Sequence, residues 1–166
     1  MTKASPIYWK SNTISRVCHS SKDAETLNIS KMVDDAIFTA RQTELLLFGD
    51  FQRRIKIHLY TDSESTLESI ASSKQIERKT LRLTITDLKE RLVEGDISSY
   101  SWLPTRDMYA DLLTKEMQIP QHLEEVIYKN NLHLPKSPIN QVKAVGTEIW
   151  MHNIRNRRQL KVNPEI

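Results

Sequence analysis

Apolar residues recur along this chain with two alternating periods, and the switches between them delimit its elements. From Ser20 or Ser21, either of which can cap a helix, Ile29, Val33, Ala36, Ile37 and Ala40 follow the i, i+4, i+7, i+8, i+11 spacing of one helical face and continue toward Leu45, Leu46 and Leu47. Gly49-Asp50 marks the expected end. Ile55 to Thr61 changes to an alternation rich in β-branched and aromatic residues, the pattern of a buried strand. Ser63 to Ile70 suits a short helix with Leu67 and Ile70 on one side. Leu81, Ile85, Leu88 and Leu92 then predict an amphipathic helix over Lys79 to Val93, stopping at Glu94-Gly95. Ile97 to Leu103 alternates again, and Pro104 ends it.

The flanks are read by the same signals. Pro6 to Lys10 and Ile14 to Cys18 read as short strands able to pair as a hairpin around Lys10 to Thr13. Thr105 can cap a helix carrying Met108, Leu112 and Leu113, and Gln121 to Lys129 predicts a further helix with Leu123, Val126 and Ile127 inward. The resulting order, β-β-α-β-α-α-β-α-α, belongs to the α/β class. Pro135-Lys136-Ser137-Pro138 marks the expected domain edge, giving a domain over residues 6–134 and a tail over 135–166. Within the tail, Gln141 to Val145 is compatible with a strand and has Glu148 nearby. The same stretch permits a helix aligning Val142, Val145 and Ile149, so a return of the tail into the sheet is not expected.

Composition narrows the class. A chain of 166 residues with 39% hydrophobic and 27% charged residues fits one globular domain. It holds no apolar run of about 18 or more that would suit a membrane span. With no leader-like opening and a lone Cys18, the expected setting is reducing and intracellular, cytoplasmic or nuclear. The net charge of +3 is unevenly placed: His152 to Lys161 carries Arg155, Arg157, Arg158 and Lys161 and no acid. Such a run suits either a solvated tail or weak attachment to nucleic acid.

Three carboxylates sit at the edges of predicted elements. Asp62 directly follows a buried strand, at the strand end where α/β sheets place ligands, although an Asp there also suits a helix N-cap. Glu25 lies in the first turn of the long helix, where it can complement the macrodipole or join a capping box with Ser21 or Lys22. Asp111 follows Asp107 by one turn, and either reads equally as a surface acid. Two Mg²⁺ ions about 4 Å apart need several carboxylates converging from distant parts of a chain, and three are available here. His19, His122, His133 and His152 show no metal-ligand spacing with Cys18, so no zinc site is read. His58 reads as a core or sheet-face histidine. Tyr100 and Trp102 share a strand face and suit packing against a helix better than base stacking.

Taken together, Tyr60-Thr61-Asp62-Ser63 and the run from Leu103-Pro104-Thr105 through Tyr109-Ala110-Asp111-Leu112-Leu113-Thr114-Lys115 resemble the ribonuclease H domain of copia-type LTR retrotransposons. In that family a strand ends in Asp plus a small polar residue, and the domain closes with a strand, a Val/Leu-Pro-Thr turn and an Ala-Asp-Leu/Ile-Leu-Thr-Lys helix. Tyr8-Trp9-Lys10-Ser11 is similar to the family's Trp-Lys-Ser-Lys strand end, and Ser20-Ser21-Lys22-Asp23-Ala24-Glu25 to its Ser-Ser-Thr-Glu-Ala-Glu. The resemblance covers about residues 6–134.

What it implies is a ribonuclease-H-like mixed sheet flanked by helices. Glu25, Asp62 and Asp111 would be the catalytic metal ligands for Mg²⁺ or Mn²⁺, with Asp107 in an outer position. The implied reaction is two-metal hydrolysis of the RNA strand of an RNA·DNA hybrid. Lys10, Arg78, Lys79 and Arg82 would contact phosphates, although Arg78, Lys79 and Arg82 equally suit the wet face of an amphipathic helix. The family's first strand, which carries an Asp bridging both metals, has no counterpart before Pro6, since Met1 to Ser5 contain no acid. The usual first strands are therefore expected to be missing. A reverse-transcriptase segment of a longer polyprotein, another partner chain or the chain's own tail are the sources weighed for the lost strand. Weak or absent nuclease activity is expected of the isolated chain. The alternatives are a non-catalytic nucleic-acid-binding or assembly protein, or an unselected transposon remnant.

Overall fold

The computed structural model describes residues 2–3, 6–8, 10, 14, 17–72, 76–108, 110, 121–129, 131–132, 140–145, 148–153 and 159–162. Its elements in chain order are β1 (Thr2–Lys3), α1 (Ser21–Phe48), β2 (His58–Thr61), α2 (Glu64–Ala71), α3 (Lys79–Val93), β3 (Ser99–Trp102), a 3-10 turn (Thr105–Asp107), α4 (Gln121–Lys129), β4 (Asn131–Leu132), β5 (Asn140–Val145), β6 (Glu148–Asn153) and β7 (Gln159–Val162). The fold is mixed α/β. A five-stranded sheet runs in the order β2-β3-β5-β6-β7, and β1 pairs separately with β4.

Helix α1 starts where the serines predict. The Ser20 side chain accepts from the Asp23 amide at 3.2 Å, and Asp23 in turn accepts from the His19 amide at 3.3 Å. Asp23, not Glu25, thus reaches back over the helix start, to the amide of the residue before the N-cap, and Glu25 bonds elsewhere. Gly49 closes the helix in the left-handed region (φ 75°), its amide donating to the Leu45 carbonyl at 2.9 Å. The buried stripe runs through Thr26, Val33, Ala40 and Glu44. The expected continuation through three leucines is corrected: Leu46 is 84% and Leu47 67% exposed, whereas Glu44 is wholly buried. Four residues beyond Ala40, Glu44 keeps the helical period and Leu46 lies off it; Leu47 is in phase but stays exposed in the last turn of the helix.

Parallel pairing of β2 with β3 sets His58 opposite Ser99 and Thr61 opposite Trp102, with α2 and α3 in the connection between them. Leu67 and Ile70 of α2, Ile85, Leu88 and Leu92 of α3, Val33 and Ala40 of α1, and Ile57, Tyr100, Val142 and Ile149 from the sheet side form one core. Burying each of the larger aliphatic side chains contributes about 1.5–3 kcal/mol. Tyr100 is buried as expected, and its hydroxyl donates to the Leu88 carbonyl at 3.1 Å. Burial pushes that phenol well above its ordinary range. Trp102 packs against the same core. On the opposite face His58 is exposed and shares a 2.8 Å hydrogen bond between Nδ1 and Ser99 Oγ, the sheet-face reading of that residue.

Three further expectations are corrected. Pro6, Ile7, Tyr8, Lys10, Ile14, Val17 and Cys18 lie outside any strand. The Tyr8 hydroxyl and the Lys10 ammonium instead donate to Asp35 on α1, at 3.4 and 3.3 Å. Thr105 opens a 3-10 turn, its hydroxyl engaged with Asp62, and Met108 lies outside a helix, while Leu112 and Leu113 of the expected helix lie outside the described residues. The stretch from Gln141 is a strand and not a helix. Val142 turns into the core, while the Gln141 amide on the other face donates to Ser99 and Ser101 at 3.3 and 3.2 Å. β5 runs antiparallel to β3, and β6 and β7 extend the sheet antiparallel from it. Strands β5, β6 and β7 therefore do return to the sheet, on the side of β3 away from β2. The expected domain edge at residues 135–138 lies outside the described residues.

Candidate active site

Asp62 is the residue immediately after β2, and the sheet brings three other segments to the same end. The Asp62 carbonyl accepts the Trp102 indole N–H at 2.9 Å, which ties it to the end of β3. Its carboxylate Oδ2 accepts from the Thr105 hydroxyl at 3.2 Å, while the side chain stays exposed. Ser63 follows as the N-cap residue of α2 without a side-chain capping bond. Its Oγ donates instead to Glu25 Oε2 at 2.6 Å, so one hydroxyl joins the first turn of α1 to the residue beside Asp62. Thr66 lies 2.8 Å from Ser63 Oγ, and Thr26 lies 3.3 Å from Thr66, both pairs through buried hydroxyls. Glu64, the first residue of α2, accepts the Asn140 amide N–H at 2.8 Å.

This environment is polar, and its donors are neutral. Among the described residues, Glu25, Asp62 and Glu64 have no cationic partner within ion-pair distance, whereas Asp23, Asp34, Asp35, Glu44, Asp50, Asp87 and Asp96 all do. Neutral hydroxyl and amide donors hold one oxygen of each acid and leave its charge uncompensated. Hard carboxylate oxygens of this kind suit Mg²⁺ or Mn²⁺. Among the described residues, however, no three acidic, histidine or cysteine side chains stand close enough to hold one ion. Asp111, the third expected ligand, lies outside the described residues. Asp107 lies in the 3-10 turn that delivers Thr105 to Asp62.

The residues expected to meet phosphate are distributed differently. Lys10 is committed to Asp35, which raises its pKa first through their hydrogen bond and then through charge. Arg78 pairs with Asp23. Lys79 is exposed and Arg82 half-buried on the first turn of α3, with no ion pair among the described residues. Arg155, Arg157 and Arg158 lie outside the described residues.

Several of the contributing groups carry no individual sequence signal. Ser63, Thr66 and Thr105 belong to segments read as helix material. The uninterrupted polar run Thr61-Asp62-Ser63-Glu64-Ser65-Thr66 between Tyr60 and Leu67 was the available clue. Asn140 reaches the site only through the pairing of β5 with β3, which no local pattern announces. Comparison with protein-family models, with curated proteins and with solved structures finds no match.

Proposed function

We propose that this chain is a retrotransposon-derived, ribonuclease-H-like protein whose ancestral chemistry is divalent-metal-dependent hydrolysis of the RNA strand in RNA·DNA hybrids. The observation that carries the proposal is the place of Asp62 at the end of a parallel strand pair, where the next residue, Ser63, donates its hydroxyl to Glu25 in the first turn of the long helix. Two acids far apart in sequence are thus brought to the same strand end, the place where α/β folds act on ligands. Asp111, borne on the segment similar to the family's closing helix, would complete the ligand set. Mg²⁺ bound there would activate water and stabilise the departing oxygen.

The open side of β2 bears on activity. Thr61 and Ile57 turn their carbonyls to β3, accepting from Leu103 and Ser98, so the intervening His58 and Tyr60 direct their backbone groups to the other side. There, among the described residues, no strand pairs. A strand carrying a further carboxylate and docking along that edge would add the ligand the family uses, and a reverse-transcriptase segment is one source of it. Without it the isolated chain has weak or no nuclease activity.

A second reading, a non-catalytic nucleic-acid binder that keeps the architecture, draws support from the lack of a three-acid metal cluster among the described residues. Cleavage of a labelled RNA·DNA hybrid in Mg²⁺ or Mn²⁺ separates the two. A nuclease loses on the order of 100-fold or more in rate on Asp62→Asn. An electrostatic binder is indifferent to that change, weakens with salt and weakens when Arg155, Arg157 and Arg158 are replaced.

A further inference from the structure

The five-stranded sheet sorts its residues by face, since directly paired residues share a face and successive ones alternate. Tyr100, Val142 and Ile149 belong to the core under α1, α2 and α3, and Met151, Leu160 and Val162 hold register positions on the same rows. On the other face, two rows cross all five strands. One runs through His58, Ser99, Lys143, Trp150 and Lys161, the next through Tyr60, Ser101, Gln141, His152 and Gln159. Neither row contains an acid. Along the strands the closest acids stand beyond the rows, Glu148 past the first and Asp62 past the second.

Hydrogen bonds make a floor of the short residues and leave the longer ones above it. Gln141 donates to the hydroxyls of Ser99 and Ser101 at 3.3 and 3.2 Å, and both serines are fully buried. His58 shares its Nδ1 with Ser99 Oγ at 2.8 Å, which fixes the ring and leaves Nε2 for another partner. His58 and Lys143 are exposed, and Tyr60 and Gln141 half-buried. Lys143 has no ion pair among the described residues.

An ordinary wet surface intersperses acids with bases. Here the tryptophan position lies between two lysine positions, Lys143 on β5 and Lys161 on β7, and the rest are histidine, tyrosine, amides and hydroxyls. A polyanion with unpaired flat bases matches each of these. Phosphates suit the lysines, base faces suit Tyr60 and Trp150, and base edges suit the amides and histidines. A duplex keeps its base faces stacked inside and offers this surface only its phosphates.

We propose that the sheet face opposite α1, α2 and α3 binds single-stranded nucleic acid, with Tyr60 and Trp150 stacking on bases and Lys143 and Lys161 neutralising phosphates. This goes beyond the hydrolytic reading and is independent of it, since no metal takes part.

The test is fluorescence anisotropy of labelled oligo(dT), oligo(U) and a duplex, each about twelve nucleotides long, titrated with the full chain in EDTA. The wild type is expected to hold the single strands more tightly than the duplex and to weaken with salt; the stronger of the two single-strand arms identifies DNA or RNA as the ligand. Trp150→Ala is expected to weaken single-strand binding about tenfold. Lys143→Glu, at an exposed position, is expected to weaken it by about threefold or more and to flatten the salt dependence. If Trp150→Ala fails to fold, Tyr60→Leu decides the stacking, with a loss of about fivefold expected. A wild type that binds neither single strand, or that prefers the duplex, overturns the proposal, as does affinity unchanged in any of these variants once folded. Single-strand binding in EDTA without hybrid cleavage in Mg²⁺ retains this face and removes the nuclease reading, and cleavage without such binding does the reverse.

Discussion

The two ends of the β2–β3 pair treat their acids in opposite ways. At the end where β2 begins, Asp96 faces Arg41 and Arg53 at 3.2 Å and Arg91 at 3.8 Å. Glu44, wholly buried, accepts from Arg41 at 3.0 Å and from the amides of Ile55 and Arg53 at 2.7 and 3.2 Å. These contacts join the end of α1, the segment entering β2 and the end of α3. They also hold Arg53 in a left-handed conformation (φ 55°) that a non-glycine residue adopts at some cost. At the end where β2 stops, Glu25, Asp62 and Glu64 meet hydroxyls and an amide, and their charges stay unmatched. Acids matched by arginine explain themselves as architecture. Acids without a counter-charge contribute little to stability, and under the proposed function a metal ion would account for their placement.

The sharpest way to break this contrast is Asp96→Ala. Removing one partner of a fully buried pair costs about 3–5 kcal/mol; the arginine head groups here stay partly exposed, which reduces the expected loss to roughly 2–3 kcal/mol. Urea unfolding at neutral pH measures it. A loss below about 0.5 kcal/mol would mean that the arginine end is as dispensable as an ordinary surface.

The paired end also dictates the response to acid. Burial pushes the Glu44 carboxyl up, but the Ile55 amide, Arg41 and the Arg53 amide outweigh it and leave its pKa below the ordinary value. The unfolded chain, with Glu near its reference of about 4.3, therefore takes up the proton first as pH falls. The stabilisation is complete above that value and is lost as pH drops through the lower folded one. The unfolding midpoint should hold from neutrality to about pH 5 and decline below about pH 4. Glu44→Gln should lower it near neutrality, meet the wild type in acid and so flatten the acid limb; an unchanged acid limb would remove Glu44 from the account.

Legibility in the sequence divides along the same line. Helices α1 to α4 and strands β2 and β3 were visible because a buried face repeats locally, as Leu81, Ile85, Leu88 and Leu92 do. Asp62 and Glu25 were visible as acids at the edges of such elements. Glu44 was hidden by its type, since the period points to it but a buried charge is intelligible only once the Ile55 amide and Arg41 are in place. The strand at Gln141 was hidden by ambiguity. Val142 and Ile149 fit a helical face or a strand face equally, and pairing with Tyr100 and Met151, a long-range choice, decided it. Asn140 belongs to that same choice, so its contact with Glu64 could not have been anticipated.

At the unmatched end, Ser63→Ala should cost less than Asp96→Ala. The hydroxyl is buried and supplies the donor for Glu25 Oε2, and hydrogen bonds to charged groups contribute about 1.5–3 kcal/mol. Glu25 is only partly buried and can recruit water in compensation, so about 1–2 kcal/mol is expected from urea unfolding. A loss equal to that of Asp96→Ala would make the hydroxyl cluster a structural anchor of the same rank.

Asp62→Asn carries the smallest expected effect on the fold and tests the contrast most directly. The side chain is exposed, and its one described contact, from the Thr105 hydroxyl at 3.2 Å, can be accepted equally by an amide oxygen. Stability without metal should therefore stay within about 0.5 kcal/mol of wild type, and a slight rise is the favoured direction because one unmatched negative charge is removed from the strand end that also holds Glu25 and Glu64. Added Mn²⁺ should raise the unfolding midpoint of the wild type, since an ion that binds only the folded chain stabilises it by mass action. Asp62→Asn should shrink that rise. If the substitution instead destabilised the metal-free chain as much as Asp96→Ala does, Asp62 would belong to the scaffold, and the two ends of the strand pair would differ in chemistry but not in role.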